Sequence, residues 1–186
     1  LQIASYCLLV EEEYGKPPPY GVIRYGDGSH DIEYNEDLKR LVTKKTKAVQ
    51  VCNPNNPTGA IMAAPQRKAL LDAVEDAGTW LLSDEVYQGA EREAPETASL
   101  WGSYEKTLIT NGLSKAYGLP GLRIGWLVGP PRIVEELMGY HDYLTLTPTM
   151  LSDRLARFVL EKRKRAEILA RTREIVRTNY PAVRDW

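Results

Sequence analysis

One stretch decides how this chain can fold: Thr110-Asn111-Gly112-Leu113-Ser114-Lys115-Ala116-Tyr117-Gly118-Leu119-Pro120-Gly121-Leu122-Arg123-Ile124-Gly125-Trp126. It sets Lys115 and Arg123 among four glycines and a proline, which permit sharp turns and a close approach of the backbone to a ligand. Residues 107–110 predict a short buried strand before it, and residues 124–128 predict another after it. Lys115 therefore lies on the connection that leaves the C-terminal end of a strand, the edge at which open α/β sheets bind ligands.

Strands and helices alternate on the N-terminal side of this stretch. The sequence predicts three further strands, at residues 21–25, 48–52 and 79–83. Between the last two, a helix begins near Pro65 and stops at Gly78. This order favours parallel crossovers, so the predicted fold class is α/β, a three-layer sandwich with a mostly parallel sheet.

Two more helices are predicted near the N-terminus. The chain opens on the tail of the first, which stops near Gly15, and Asn35 caps the second. Three prolines at residues 17–19 interrupt regular structure between them, and residues 26–29 predict a turn.

Helical patterns follow the Lys115 stretch. Residues 131–138 predict a short helix, and residues 150–180 predict one or two long helices that stop at Pro181. The expected apolar stripe consists of Leu151, Leu155, Val159, Ala166, Leu169 and Val176. The basic run at residues 162–165 is interpreted as a solvated helix face or, alternatively, as an electrostatic contact.

Composition limits the possible partners. A chain of 186 residues with 43% hydrophobic residues and a net charge of -1 suits a soluble domain without general attraction to nucleic acid or to acidic membranes. No apolar run approaches the ~20 residues that cross a bilayer. Cys7 and Cys52 are too few and too far apart for a disulfide framework, which favours a reducing, cytoplasmic compartment. His30 and His141 are isolated, so we expect no metal site.

Three motifs occur in a fixed order: Asn53-Pro54-Asn55-Asn56-Pro57-Thr58-Gly59, Ser83-Asp84-Glu85-Val86-Tyr87, and the Ser114 to Gly125 part of the opening stretch. With them the chain resembles the class I/II aminotransferases, pyridoxal-phosphate (PLP) enzymes of fold type I. The resemblance implies that residues 1–150 are part of a PLP-binding large domain, incomplete at both ends. Residues 151–186 would be a long helical segment that leads towards a small domain outside this chain.

The resemblance also assigns catalytic roles. Lys115 would form the Schiff base with PLP and then move a proton between the substrate and the cofactor. Asp84 would keep the pyridine nitrogen protonated, since a buried carboxylate opposite that nitrogen favours its charged form. Asn56 and Tyr87 would hydrogen-bond the phenolic oxygen of the cofactor, while Asn53 and Asn55 are interpreted as turn formers.

Phosphate binding falls to Ser114 and Arg123, because a hydroxyl and a planar guanidinium suit its oxygens. The family often has a second serine or threonine three residues before the lysine, where this chain has Gly112. One phosphate contact is therefore expected to be missing or to be replaced by a backbone N–H. The family's phosphate cup, ring-stacking residue and substrate-carboxylate arginine are not found in this sequence.

The function implied by the resemblance is transfer of an amino group between an amino acid and a 2-oxo acid, by a homodimer when full length. We expect the 186-residue chain alone to be inactive. A PLP-dependent β-lyase or synthase of the same family is one alternative. A non-catalytic, aminotransferase-like PLP-sensing domain is another. The sequence does not identify the amino acid or the 2-oxo acid.

Overall fold

The computed structural model describes Tyr20–Tyr25, Gly28–Glu33 and residues 42–185. The predicted opening helix, the proline break, the Asn35-capped helix and Cys7 lie outside the described residues, and the turn at residues 26–29 lies partly outside them. Strand β1 (Tyr20–Tyr25) confirms the strand predicted at residues 21–25. It pairs antiparallel with β2 (Gly28–Glu33).

The chain divides into two compact units. The first comprises the described residues up to Asp84 together with Leu100–Leu108, and the second comprises Glu85–Ser99 and residues 109–185. Strand β5 (Thr107–Gly112) gives its first two residues to the first unit and the rest to the second. The domain boundary expected at residue 150 stays a prediction.

A parallel strand pair carries the first unit. Strand β3 (Ala48–Cys52) lies beside β4 (Trp80–Asp84), with Cys52 opposite Asp84 at their C-terminal ends. Helix α1 (Ala64–Ala77) connects the two strands. The strand–helix–strand arrangement and the parallel pairing predicted from the sequence are both confirmed.

Local sequence explains these elements. Side chains of β3 alternate between exposed and buried, with Val49 and Val51 on the buried face, as a half-covered strand requires. Helix α1 ends where predicted, because Gly78 adopts a left-handed conformation with φ of 64° and its N–H bonds the carbonyl oxygen of Glu75. The helix buries Val74 completely, whereas Leu70, Leu71 and Ala77, also expected to face the core, are half-buried.

An antiparallel strand pair begins the second unit. Strand β6 (Gly125–Val128) pairs with β5 so that Gly112 lies opposite Gly125. The strand order β3-β4-β5-β6 therefore gives a mixed sheet, which agrees with the predicted fold class. The antiparallel edge has a simple cause: the link at residues 113–124 holds only one short 3-10 helix, at Pro120–Leu122, and no crossover helix that could return the chain for a parallel strand.

Three helices complete the second unit: α2 (Pro131–His141), α3 (Met150–Leu160) and α4 (Lys162–Arg184). Helix α2 is longer than predicted. The expected stop at Pro181 is wrong, since α4 continues through it to Arg184. The turn that follows the proline still closes, because the Asp185 N–H donates to the Pro181 carbonyl oxygen at 3.0 Å.

The predicted apolar stripe along α3 and α4 is only partly correct. Val159 and Leu169 are buried, but Leu151 and Leu155 are exposed. Glu161 has an extended backbone between the helices, so the helical phase is not kept from one to the next. A hydrophobic core cluster of this unit consists of Leu113, Ala116, Tyr117, Ala156, Val159 and Leu169.

No helix in the described ranges, 20–25, 28–33 and 42–185, combines the length and the apolar character that crossing a membrane requires.

The close pairing at Gly112 generates a prediction. A Cβ atom at this position would lie 3.0 Å from the Ile124 carbonyl oxygen and 3.2 Å from the Gly125 Cα, both in backbone that cannot easily yield. We expect Gly112→Ser to destabilise the intact protein by about 1–3 kcal/mol. Thermal unfolding measures this, with Gly121→Ser as the control because a Cβ there meets nothing within 4 Å. Equal losses for the two variants would contradict the prediction.

Candidate active site

The turn after β3 is held by asparagine side chains. Asn53 accepts a hydrogen bond from the Met62 N–H at 2.8 Å, and its own N–H donates to the Asp84 carbonyl oxygen at 3.0 Å. Asn55 donates from Nδ2 to Thr58 Oγ1 at 2.8 Å. Both asparagines are buried, which agrees with their expected role as turn formers. The side chain between this turn and the solvent is that of Asn56, which is exposed.

Cys52 lies close to two of the predicted site residues in the first unit, Asp84 and Asn56. Burial raises the pKa of the Cys52 thiol, a hydrogen bond from the Asn56 backbone opposes this, and the charge of Asp84 raises the pKa further. Cys52 lies opposite Asp84 in the parallel strand pair, so Asp84 ends its strand beside the residue that leads into the asparagine turn. The sequence had not marked Cys52 as a neighbour of the site, although it directly precedes the asparagine turn.

Two turns meet in the second unit. Tyr87 lies in the turn that follows β4, where the Gln88 N–H donates to the Glu85 carbonyl oxygen at 2.9 Å. Lys115 lies in the turn that follows β5, closed by the Gly118 N–H on the Lys115 carbonyl oxygen at 2.9 Å. The Ala116 N–H donates to the Val86 carbonyl oxygen at 3.3 Å and joins the two turns. Val86 and Ala116, the residues next to Tyr87 and Lys115, are thus joined by a backbone hydrogen bond.

Lys115 is exposed, although Leu113 and Ala116 on either side of its turn are fully buried. Within the part of the chain that the structure describes, its ammonium group makes no hydrogen bond or ion pair. The buried neighbours fix the backbone, so the side chain leaves a rigid base. The turn thus presents a primary amine at the protein surface.

Arg123 has an unusual backbone. Its φ is 54°, a left-handed conformation that is unfavourable by roughly 1–2 kcal/mol for a residue with a Cβ atom. The flanking backbone holds it there, since the Leu113 N–H bonds the Ile124 carbonyl oxygen at 3.0 Å. Its guanidinium is exposed, donates from Nη1 to the Pro120 carbonyl oxygen at 3.0 Å, and forms no ion pair with any described residue. Its other N–H groups could bind an anion.

Gly112 lies where the family often has a serine or threonine hydroxyl that contacts the phosphate. The backbone N–H of Gly112 does not supply this contact instead. Its N–H donates to Asn111 Oδ1 at 2.7 Å. Ser114 is half-buried and directly precedes the lysine. The Gly112 N–H is therefore already engaged. Of the groups at Gly112 and Ser114, only the Ser114 hydroxyl can contact a phosphate.

Helix α4 also contacts both turns, which the sequence did not predict. Arg171 and Arg173 donate to backbone oxygens of the Lys115 and Tyr87 turns, and Arg165 reaches the Tyr117 hydroxyl. The sequence contained a pattern that could have indicated this contact. The arginine and leucine side chains at residues 165, 169, 173 and 177 recur every four residues and therefore share one helix face. Both interpretations of the basic run hold in part: Arg163 is a solvated side chain paired with Glu167, whereas Arg165 makes contacts elsewhere in the unit.

Metal ligands are not clustered in the described ranges. No group of three or more His, Cys, Asp or Glu side chains there could hold an ion.

Comparisons with known proteins identify the family. Residues 26–185 match the family model for aminotransferase class I and II. Capreomycidine synthase of Streptomyces vinaceus is 38% identical over 126 residues, which are 68% of this chain and 32% of that protein. Aromatic-amino-acid aminotransferase 2 of Thermococcus litoralis is 33% identical over 147 residues, 77% of this chain and 37% of its relative.

A solved structure agrees with these relatives. A PLP-dependent aminotransferase from Streptococcus suis superposes with a TM-score of 0.73 at 34% identity, over 83% of this chain and 40% of that one. The chain thus spans between a third and two fifths of the length of the proteins it matches. It belongs to the class I and II aminotransferases, a family of PLP-dependent enzymes.

Proposed function

We propose that this chain supplies the central catalytic residues for PLP-dependent transfer of an amino group between an amino acid and a 2-oxo acid. One observation carries the proposal. Lys115 offers an amine without a partner among the described residues, on a turn bonded directly to the Tyr87 turn and in the same loop as Arg123. An amine beside a hydrogen-bond donor and an anion-binding guanidinium is the donor set that an aldehyde with a phosphate requires.

In each compact unit, the proposed site residues carry chemical groups that suit PLP. When bound, the cofactor supplies an aldehyde for the amine and a ring that accepts electrons. Arg123 and Ser114 bind the phosphate, because the guanidinium retains unpaired N–H groups. The left-handed backbone of Arg123 supports this role, since strained residues collect at ligand sites. With no side chain at Gly112, these two residues carry the phosphate on this side of the site.

Lys115 moves the proton of the reaction. As a free amine, Lys115 Nζ would accept the proton from the Cα atom of the substrate and hold it for return to the bound cofactor. The buried residues on both sides of its turn keep the backbone fixed, and its exposed side chain can move while it holds the proton.

Asp84 holds the proton on the pyridine nitrogen. Its position at the end of β4, opposite Cys52 and beside the start of the asparagine turn, supports this role. A negative charge beside the nitrogen favours the protonated ring, which accepts electrons more readily. Asn56 and Tyr87 donate hydrogen bonds to the phenolic oxygen and orient the ring.

The quaternary structure and compartment follow as proposals. Side chains exposed between α2 and α3 are strongly apolar, with Tyr143 at 91% exposure, Leu144 at 83% and Leu146 at 75%. Exposed apolar patches mark interfaces, which supports a homodimer in the intact protein. The two distant cysteines support a reducing compartment such as the cytoplasm.

A second candidate function is a PLP-dependent synthase or lyase. The similarity to a protein named capreomycidine synthase favours it, because the same lysine and carboxylate can serve reactions that differ only after the proton leaves Cα. Product analysis with an amino acid and a 2-oxo acid separates the candidates. A new amino acid indicates transfer, whereas an eliminated or cyclised product indicates the alternative. A PLP-bound protein without any product would indicate a sensing domain.

Lys115 is expected to carry the covalent adduct. Borohydride reduction of the intact protein loaded with PLP should leave a stable label on this lysine because, among the described lysines, its amine alone combines exposure with a fixed turn in the same loop as Arg123. Peptide mass mapping locates the label. Lys115→Arg should abolish it, while Lys106→Arg should not, since Lys106 already donates to the Gly78 carbonyl oxygen at 2.8 Å. A label on any other lysine would refute the assignment.

Asp84→Ala should slow the chemical step and leave adduct formation at Lys115 intact. We expect single-turnover rates of the intact protein to fall by at least about a hundredfold, or ~2.7 kcal/mol of barrier, because the ring nitrogen loses the charge that keeps it protonated. Asp76→Ala, in an exposed position on α1, is the matched control. A loss of less than about tenfold would show that Asp84 does not hold this proton.

A further inference from the structure

Helix α4 lies directly under the two turns that carry Tyr87 and Lys115. Each turn meets the helix at a glycine. A Cβ atom on Gly89 would lie 2.8 Å from a methyl carbon of Leu169, and one on Gly118 would lie 3.2 Å from Arg171 Nη2. Gly89 and Gly118 also have positive φ angles, of 94° and 64°. Backbone and helix are therefore packed more closely than other residues would allow.

Arg173 fixes the Tyr87 turn. Its Nε donates to the Gly89 carbonyl oxygen at 3.0 Å, and its Nη2 donates to Glu91 Oε2 at 2.8 Å. The same carboxylate accepts the Gly89 N–H at 3.0 Å and the Thr97 N–H at 2.8 Å. The backbone of Gly89, two residues after Tyr87, is thus held through both its N–H and its carbonyl group.

The ion pair between Arg173 and Glu91 is well shielded. The Glu91 side chain is 0% exposed and that of Arg173 is 19% exposed. Burial opposes ionisation of Glu91, but hydrogen bonds from Thr97 and Gly89 outweigh it and hold the pKa of this carboxyl below its ordinary value. The carboxylate therefore stays charged at neutral pH and keeps Arg173 in one geometry.

Arg171 and Arg165 fix the Lys115 turn. Arg171 Nη2 donates to the Tyr117 carbonyl oxygen at 3.0 Å, two residues after Lys115. Arg165 Nε donates to the Tyr117 hydroxyl at 3.0 Å, and its guanidinium lies 5.9 Å from the centre of that ring. Arg165 is itself oriented by an ion pair with Glu96. Arginine side chains of α4 therefore contact both turns through planar guanidinium groups.

We propose that Arg171 and Arg173 are positioning residues that set the separation of Lys115 and Tyr87 by tying both turns to α4. Neither arginine touches the reacting groups. This inference rests on the proposed function, because the separation matters only if both side chains serve one ligand. Displacements of about 1 Å can lower a rate a hundredfold, so the backbone bonds two residues away have a direct effect on the site.

The two arginines have separable effects. Loss of the Arg173 hydrogen bonds moves Tyr87 away from the phenolic oxygen of the cofactor. Without this donor, the phenolic oxygen holds the neighbouring proton more tightly. The pH midpoint of the visible absorbance of bound PLP therefore rises. Loss of the Arg171 bond moves Lys115, so the rate at which this amine captures PLP falls while the midpoint stays near its original value.

The test uses Arg173→Lys and Arg171→Lys in the intact protein. Lysine keeps the charge but loses the planar fork that bonds the backbone. We expect the midpoint to rise by about half a unit or more in the first variant and PLP capture to slow about tenfold in the second. Arg163→Lys is the matched control, because Arg163 lies on α4 and pairs only with Glu167. It should behave as the wild type does.

Hydrogen exchange of the cofactor-free protein separates this inference from the proposed function. The amides at residues 88–90 should exchange faster in Arg173→Lys, and those at residues 116–119 faster in Arg171→Lys. If the wild type does not bind PLP at Lys115, the proposed function fails, and exchange alone then decides whether the arginines hold the turns. If PLP binds but neither variant changes absorbance, capture or exchange, the positioning role is overturned. Arg171 is exposed, so its variant keeps the test decisive should Arg173→Lys fail to fold.

Discussion

The contact between α4 and two backbone turns is the constraint on which the second compact unit depends. Glycine is needed at both contacts, since Gly89 packs on Leu169 and Gly118 packs on Arg171. The guanidinium groups then bond the carbonyl oxygens that the turns leave open. Because buried backbone oxygens need donors, the same contacts satisfy the turns and hold them in place. Stability and site geometry thus have one physical origin here.

The charged side chains of this protein act over short distances. The net charge of -1 indicates no strong long-range field, yet the arginines of α4 reach several carbonyl oxygens and two carboxylates in the second unit. Arg123 differs from them: it forms no ion pair with a described residue, and its backbone is strained. We propose a bound anion as the reason for this unfavourable conformation, whereas the arginines of α4 bond backbone and carboxylate groups of the unit.

Local signals predicted much of the fold and supplied the proposed site residues. Alternation identified β3, Gly78 identified the end of α1, and the motifs identified the turns of Asp84 and Lys115. Features that depend on distant partners were missed or wrong. Strand β6 is antiparallel because no crossover helix precedes it, and the contact between Arg173 and Gly89 joins residues 84 positions apart. A sequence pattern that spans only a few residues cannot indicate a contact between residues so far apart in the chain.

The central claim is that Lys115, Asp84 and Arg123 hold one PLP molecule. A crystal structure of the intact protein grown with PLP tests it most directly. The account predicts continuous density from Lys115 Nζ to the cofactor, a carboxylate oxygen of Asp84 at about 2.6–3.0 Å from the ring nitrogen, and the phosphate on Arg123. PLP bound without a bond to Lys115, or a ring nitrogen out of reach of Asp84, would contradict it.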